Sequence, residues 1–245
     1  MKYIPVIHHR TAGFTLVEMA MVLLIISLLL GGLLPTISSQ IEQRRMSETR
    51  QQLEEIKEAL TGYAISRSHL PCPAKSASDG SEDRNAVTGT CNKRVGFLPW
   101  AELGVAKTDG WGRIFLYSAS NNFTNSTTPF TLTSSRDITI QTRNPAGTLI
   151  NLSNSNDIPA AVVSTGINGI FGTLDNGTVI SSNAPSSNND NDQKTNANVT
   201  GSGILFISRD PAAAINTSDV AFDDLLIWIS PNALFNRMVA AGKLP

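Results

Sequence analysis

The sequence predicts an α+β protein: a long N-terminal α-helix, apolar in its first half and amphipathic in its second, packed on a small antiparallel β-sheet head with long polar loops. Three observations predict it. Residues 14–34 form an apolar run whose single ionisable side chain is Glu18. Beyond Pro35, the residues Ile37, Ile41, Met46, Leu53, Ile56, Leu60 and Tyr63 recur mostly at three- and four-residue steps, the spacing of one helix face. After residue 68 short apolar runs alternate with stretches of Asn, Ser, Thr, Gly and Pro, which reads as strands and turns.

The apolar run comes first. Its 21 residues, at about 1.5 Å rise each, span about 30 Å as a helix, matching a bilayer's hydrocarbon core. A carboxylate in such a segment costs about 2.5–3.5 kcal/mol on insertion scales, so Glu18 calls for a partner. Thr15-x-x-Glu18 also fits a capping box, and an ordinary membrane helix uses such a pair for nothing more. The preceding segment carries Lys2, His8, His9 and Arg10 and no acidic residue. A secretory signal would have a shorter apolar core with small residues at a cleavage site after it. Here Ile37-Ser38-Ser39 is a poor cleavage site, and the small residue, Gly13, precedes the run. Cleavage there leaves the hydrophobic helix on the mature chain.

Gly13-Phe14-Thr15-Leu16-Val17-Glu18 in this setting resembles the class III signal of type IV pilins and type II secretion pseudopilins. The resemblance implies that residues 1–13 are a cytoplasmic leader. A prepilin peptidase would cut between Gly13 and Phe14 and N-methylate Phe14. Residues 14–34 would be a transmembrane and later filament-core helix, 35–67 its amphipathic continuation, and 68–245 a periplasmic head of the pilin fold. The implied partners are other pilin or pseudopilin subunits, the prepilin peptidase and an inner-membrane assembly platform. In this reading Glu18 meets the N-terminal amine of a neighbouring subunit and drives filament assembly, serving as a cap while still in the membrane. The implied location is the bacterial inner membrane, single-pass, with the head in the periplasm, and then a periplasmic or extracellular filament. Pro35 predicts a helix kink, since proline removes a backbone donor and clashes with the preceding turn.

Charge is nearly balanced, 19 basic against 20 acidic residues. Losing Lys2 and Arg10 with the leader leaves 17 against 20, so no nucleic acid partner is expected. Lys2 and Arg10 on one side of the apolar run face Arg44, Arg45 and Arg50 on the other, so the positive-inside count does not settle orientation. Cys72 and Cys91 are the only cysteines. A disulfide between them would close a loop of about 20 residues, contribute roughly 3 kcal/mol in the entropic account, and fit an oxidising periplasm. The rival is a zinc site of His69, Cys72 and Cys91, which supplies only three ligands.

The amphipathic helix should end near Arg67, before Leu70-Pro71. In the head, strands are expected at 113–118, 138–140, 161–164, 204–207 and 225–229, a helical turn at 99–104 and a terminal helix at 231–241, with Pro231 early and Gly242 at its end. Residues 181–200, rich in Asn and Ser, are expected to form an exposed, mobile loop.

Two head motifs extend the resemblance. Asp109-Gly110-Trp111-Gly112 followed by Tyr117 looks like the Asp-x-Trp-Gly…Tyr signature of major pseudopilins, a tight turn with buried aromatic area beside it. Ser164-Thr165-Gly166-Ile167-Asn168-Gly169 and Asp224-Leu225-Leu226-Ile227-Trp228 resemble that family's Ser-x-Gly-x-Asp-Gly and Asp-x-x-x-Trp elements. In major pseudopilins a calcium ion sits in the loop leading to that last Asp. Here Asn168 replaces the usual Asp, and 51 residues separate Gly172 from Asp224. Asp223 and Asp224 remain calcium candidates, with Asp175 or the Asp190-x-Asp192 pair as further oxygen donors. The preferred reading is a solvated polar loop with Asp224 capping a turn and no cofactor. The cysteine pair, Leu70-Pro71-Cys72-Pro73 and Phe97-Leu98-Pro99-Trp100 also depart from the major-pseudopilin pattern, which suggests a divergent subunit, with a minor one as an option.

No enzyme is expected. Without the leader His69 is the sole histidine, and no Gly-x-Ser-x-Gly, Gly-x-x-x-x-Gly-Lys or Gly-x-Gly-x-x-Gly motif is present. Asp223 and Asp224 are adjacent, so on a strand they would face opposite sides. The expected function is a pilin or pseudopilin of a type IV pilus or type II secretion pseudopilus. The alternative is a membrane-anchored periplasmic hydrolase or binding module that does not form filaments.

Overall fold

A 52-residue helix, α1 (Leu16–Arg67), opens the fold. The computed structural model describes residues 13–181, 187–197, 204–212 and 221–244, and within α1 it does not describe the side chains of residues 30–37. The chain divides into two units, Met1–Arg44 and Arg45–Pro245.

Over residues 16–29 α1 exposes apolar side chains on every side. Leu16, Val17, Met21, Leu23, Leu24 and Leu28 are each more than half exposed. A helix hydrophobic all round is stable only when something outside it covers it. Ser27 Oγ donates to Leu23 O at 2.7 Å, so this hydroxyl is satisfied within the helix. Among the described residues no helix is long and apolar enough to cross a membrane. The span expected at 14–34 ends among the undescribed side chains, and so does the kink expected at Pro35.

The second unit follows α1 with β1 (Val95–Phe97), α2 (Trp100–Leu103), β2 (Leu116–Ala119), α3 (Asn121–Thr124), β3 (Thr139–Arg143), β4 (Leu149–Asn151), β5 (Ala160–Ser164), α4 (Asn188–Asn196), β6 (Leu205–Ile207), β7 (Leu225–Trp228) and α5 (Pro231–Ala240). One sheet has the order β1-β2-β5-β7, antiparallel throughout. The amphipathic face of α1 packs on it through Leu53, Ile56, Leu60 and Ala64, all buried against Phe115, Tyr117, Ala160 and Val162. Leu234 and Met238 of α5 join the same core. Truncating such a buried Leu or Ile to Ala costs about 2–5 kcal/mol.

Strand β5 sits between two cores. Ala160 and Val162 face the helices, while Ala161 and Val163 face a second cluster with Leu116, Ile138, Ile140 and Phe206. Alternate residues point to opposite faces, and burial on both faces makes the strand read as an unbroken apolar run.

The second cluster belongs to a further sheet, β4-β3-β6. Its β3 and β6 pair in parallel, with Ile140 opposite Phe206, an addition to the small antiparallel sheet that was expected and is present as β1-β2-β5-β7. The expected strands correspond to β2, β3, β5, β6 and β7, with bounds shifted by one to three residues. Strands β1 and β4 carried no signal: each has three residues, and β4 is exposed throughout. Helix α5 begins with Pro231 in its first turn, and Gly242 takes φ +67° just beyond it.

The Asn/Ser-rich stretch is not wholly an exposed loop. Residues 188–196 form α4, with Asn189, Asp190, Asp192, Gln193 and Asn196 buried, while 182–186 and 198–200 lie outside the described residues. Ser187 Oγ caps the helix by accepting from Asp190 N–H at 3.0 Å. Asn196 accepts from Ile207 N–H at 2.7 Å and donates to Ile207 O at 3.0 Å and to Asp224 Oδ2 at 2.9 Å. Low apolar content argued for a loop, but buried polar side chains hold when each finds partners.

Candidate functional site

The turn Asp109-Gly110-Trp111-Gly112 ties the second-unit part of α1 to the large sheet. Asp109 is buried. Its Oδ1 accepts from the N–H groups of Trp111 and Arg113, both at 2.9 Å, and its Oδ2 accepts from Ser164 Oγ at 2.7 Å. Burial pushes its pKa up, against the pull of these donors. Gly112 completes the turn at φ +81°, a conformation that favours glycine. Gly110 N–H donates to Thr49 Oγ1 on α1 at 3.0 Å. The approach there is close, because a Cβ on Gly110 would lie 2.8 Å from Arg45 O. Tyr117 is fully buried and its hydroxyl donates to Pro71 O at 3.1 Å, whereas Trp111 is only half-buried. Two motifs that are separate in sequence, at Asp109 and at Ser164, thus meet in one hydrogen bond.

At the other end of the chain, Glu18 sits in the first turn of α1. Its N–H donates to Thr15 Oγ1 at 3.2 Å. Its Oε2 accepts from Thr15 N–H and from Thr15 Oγ1, both at 3.4 Å. This is the reciprocal capping box expected of Thr15-x-x-Glu18. Phe14 is 78% exposed. A Cβ on Gly13 would meet no atom within 4 Å among the described residues. Glycine, exposed Phe14 and a glutamate at the mouth of an apolar helix form one continuous segment. Residues 8–34 match the prokaryotic N-terminal methylation motif. This class III signal is characteristic of type IV pilins and pseudopilins, and it indicates a pilin-like precursor. The match ends at residue 34 and covers none of the head. No characterised protein and no solved structure matches the chain.

Beyond the methylation motif, the calcium candidates are buried rather than solvated. Asp223 Oδ2 accepts from Asn168 N–H at 2.6 Å, and Gly166 packs so closely that a Cβ would lie 2.2 Å from Asp223 O. Asp224 caps no solvated turn; it holds Asn196 of α4. Burial raises the pKa of Asp223 to about 6 and that of Asp224 well above the carboxylate range. The other acidic candidates hold cations: Asp175 pairs with Lys107, Asp190 with Lys194, and Asp192 with Arg143 and Arg209. Among the described residues no group of three or more His, Cys, Asp or Glu is placed to hold a metal ion.

Cys72 and Cys91 are disulfide-bonded, which leaves no thiolate for the three-ligand zinc alternative. The loop they close winds around Arg84, whose guanidinium donates to Glu82, Gly89 O and Thr124 O. Glu82 in turn accepts from Cys72 N–H at 3.0 Å. His69 is buried with its Nδ1 3.2 Å from Arg84 Nη2; burial, reinforced by Arg84, lowers its pKa. Leu70 O, 3.0 Å from the same Nδ1, Arg84 and the Tyr63 ring are thus the close polar and aromatic neighbours of the one histidine outside the expected leader.

Proposed function

We propose that this chain is a structural subunit of a bacterial type IV pilus or type II secretion pseudopilus, matured by a prepilin peptidase and assembled through its N-terminal helix. One observation carries the reading: Glu18, held only by Thr15 among the described residues, opens an apolar helix exposed on every side inside a methylation motif. The exposed apolar faces need a cover, first lipid and then neighbouring helices. Glu18 needs a cation, and the amine of a neighbouring copy cut after Gly13 supplies one, with methylation keeping its charge. Pairing offsets the cost of a carboxylate in an apolar surround.

The disulfide supports a periplasmic head, since such bonds persist in oxidising compartments. The departures from the major-pseudopilin pattern at Asn168 and around Cys72 and Cys91 favour a divergent subunit. The test is a Glu18→Ala chain expressed beside the wild type. It should insert and be processed after Gly13, yet be missing from sheared filaments. Normal incorporation would overturn the role assigned to Glu18.

A further inference from the structure

Among the described residues the two sheets have four edge strands, β1, β7, β4 and β6. An uncovered edge presents a row of backbone donors and acceptors to another chain. Two of the edges are covered. On β1, Phe97 O accepts from Ala74 N–H at 2.9 Å. On β6, the Asn196 side chain takes both backbone groups of Ile207, at 2.7 and 3.0 Å. That leaves β7 in the large sheet and β4 in the small one.

A cavity of about 470 Å³ runs along β7, lined by Leu226, Ile227, Trp228 and Ile229. Successive side chains point to opposite faces, so a cavity touching four residues in a row lies along the strand's edge. Ile229 N–H donates to Ala160 O at 3.0 Å. In the antiparallel register this turns the backbone groups of Leu226 and Trp228 away from β5 and toward the cavity side. The charged residues of the cavity wall are already matched: Lys57 pairs with Glu54 at 2.8 Å, and Arg237 pairs with Glu58. Two positive and two negative charges sum to zero, which favours an uncharged occupant.

Strand β4 has that character. No charged residue lies between Arg143 and Asp157, and Leu149, Ile150 and Leu152 are 37%, 45% and 51% exposed. Leu152 N–H donates to Ile140 O at 2.9 Å, and Asn144 N–H to Thr148 O at 3.0 Å. The backbone groups of Ile150 therefore face β3, and those of Leu149 and Asn151 face outward. Each open edge thus offers two outward residues at the same spacing.

We propose that β4 of one copy of this chain adds to the edge of β7 on a second copy, with apolar side chains of residues 149–152 entering the cavity. Main-chain bonds supply the affinity and the cavity the specificity. Each copy gives one edge and receives on the other, so the contact is head-to-tail and propagates along a filament. It joins heads, whereas Glu18 is assigned to the helices, so either contact can fail without the other.

The test co-produces two full-length variants with different affinity tags, Asn151→Cys and Ala233→Cys, the latter exposed at the cavity. Their membranes, where local concentration is high, are treated with a short bismaleimide, which leaves the Cys72–Cys91 disulfide intact. Mixed dimers should exceed like dimers by about fivefold or more. Adding Ile150→Lys to the Asn151→Cys chain should cut mixed dimers about tenfold, while Ile150→Val should leave them. The inference is overturned if like dimers form as readily, if no dimer forms, or if Ile150→Lys leaves the mixed dimers undiminished.

Discussion

Thr15 and Glu18 cap each other: Glu18 N–H donates to Thr15 Oγ1 at 3.2 Å, and Thr15 N–H donates to Glu18 Oε2 at 3.4 Å. A cap and an intersubunit ion pair place different demands on the two residues, so substitution separates them. Thr15→Ala removes the hydroxyl partner, costs about 1 kcal/mol at the helix start, and leaves the carboxylate. It should be processed and enter filaments nearly as the wild type does. Glu18→Gln keeps an acceptor for the cap but loses the charge, and it should fail to enter. Equal incorporation of both variants, read by immunoblot of sheared filaments, would leave Glu18 a cap and nothing more.

Gly110 sets how closely the Asp109 turn approaches α1. Gly110→Ala places a Cβ 2.8 Å from Arg45 O, which is backbone and cannot swing aside. The variant should lose about 1–3 kcal/mol by chemical denaturation. Gly104 borders open space but has φ +65°, so Gly104→Ala should lose about 1 kcal/mol, from backbone strain rather than from contact.

The disulfide closes a loop organised around Arg84. The Cys72→Ser, Cys91→Ser double variant should lose about 3 kcal/mol, and reduction of the wild-type protein should lower its thermal midpoint to match. A midpoint unmoved by reduction would show that Arg84 and Glu82 hold the loop unaided.

Asp223 makes stability depend on pH. Its folded pKa is about 6, above the ordinary carboxylate value near 3.8, so the folded state binds the proton more tightly than the unfolded state. Stability is therefore higher near pH 4 and falls as pH rises through 6, by about 3 kcal/mol from this group alone. Asp224, raised for the same reason, acts with the same sign. Asp223→Asn keeps an acceptor for Asn168 N–H and should flatten the slope between pH 4 and 6 while stabilising the head at neutral pH. An unchanged slope in denaturation measured across that range would contradict this account of Asp223.

What was legible in the sequence was local. The spacing of Leu53, Ile56 and Leu60 showed the buried face of α1, the apolar run at 161–164 showed β5, and Pro231 with Gly242 bracketed α5. Thr15-x-x-Glu18 showed the cap. What stayed hidden depended on partners distant in sequence. Asn196 is buried because Ile207 and Asp224 receive it, and Asp192 because Arg143 and Arg209 do. A composition argument counts apolar area and cannot register such pairs. One signal was available: Ser187-x-x-Asp190 has the same capping form as Thr15-x-x-Glu18 and marks the start of α4. The Asp109–Ser164 bond had no local signal, since long-range contacts such as the pairing of β2 with β5 and the Arg113–Leu174 bridge bring those two segments together.

Mass spectrometry of the mature N-terminus tests the central claim most directly. Chain purified from producing cells should begin at Phe14 and carry one methyl group on its amine. An intact chain, or one beginning near Gln40, would contradict assembly through a processed N-terminal helix.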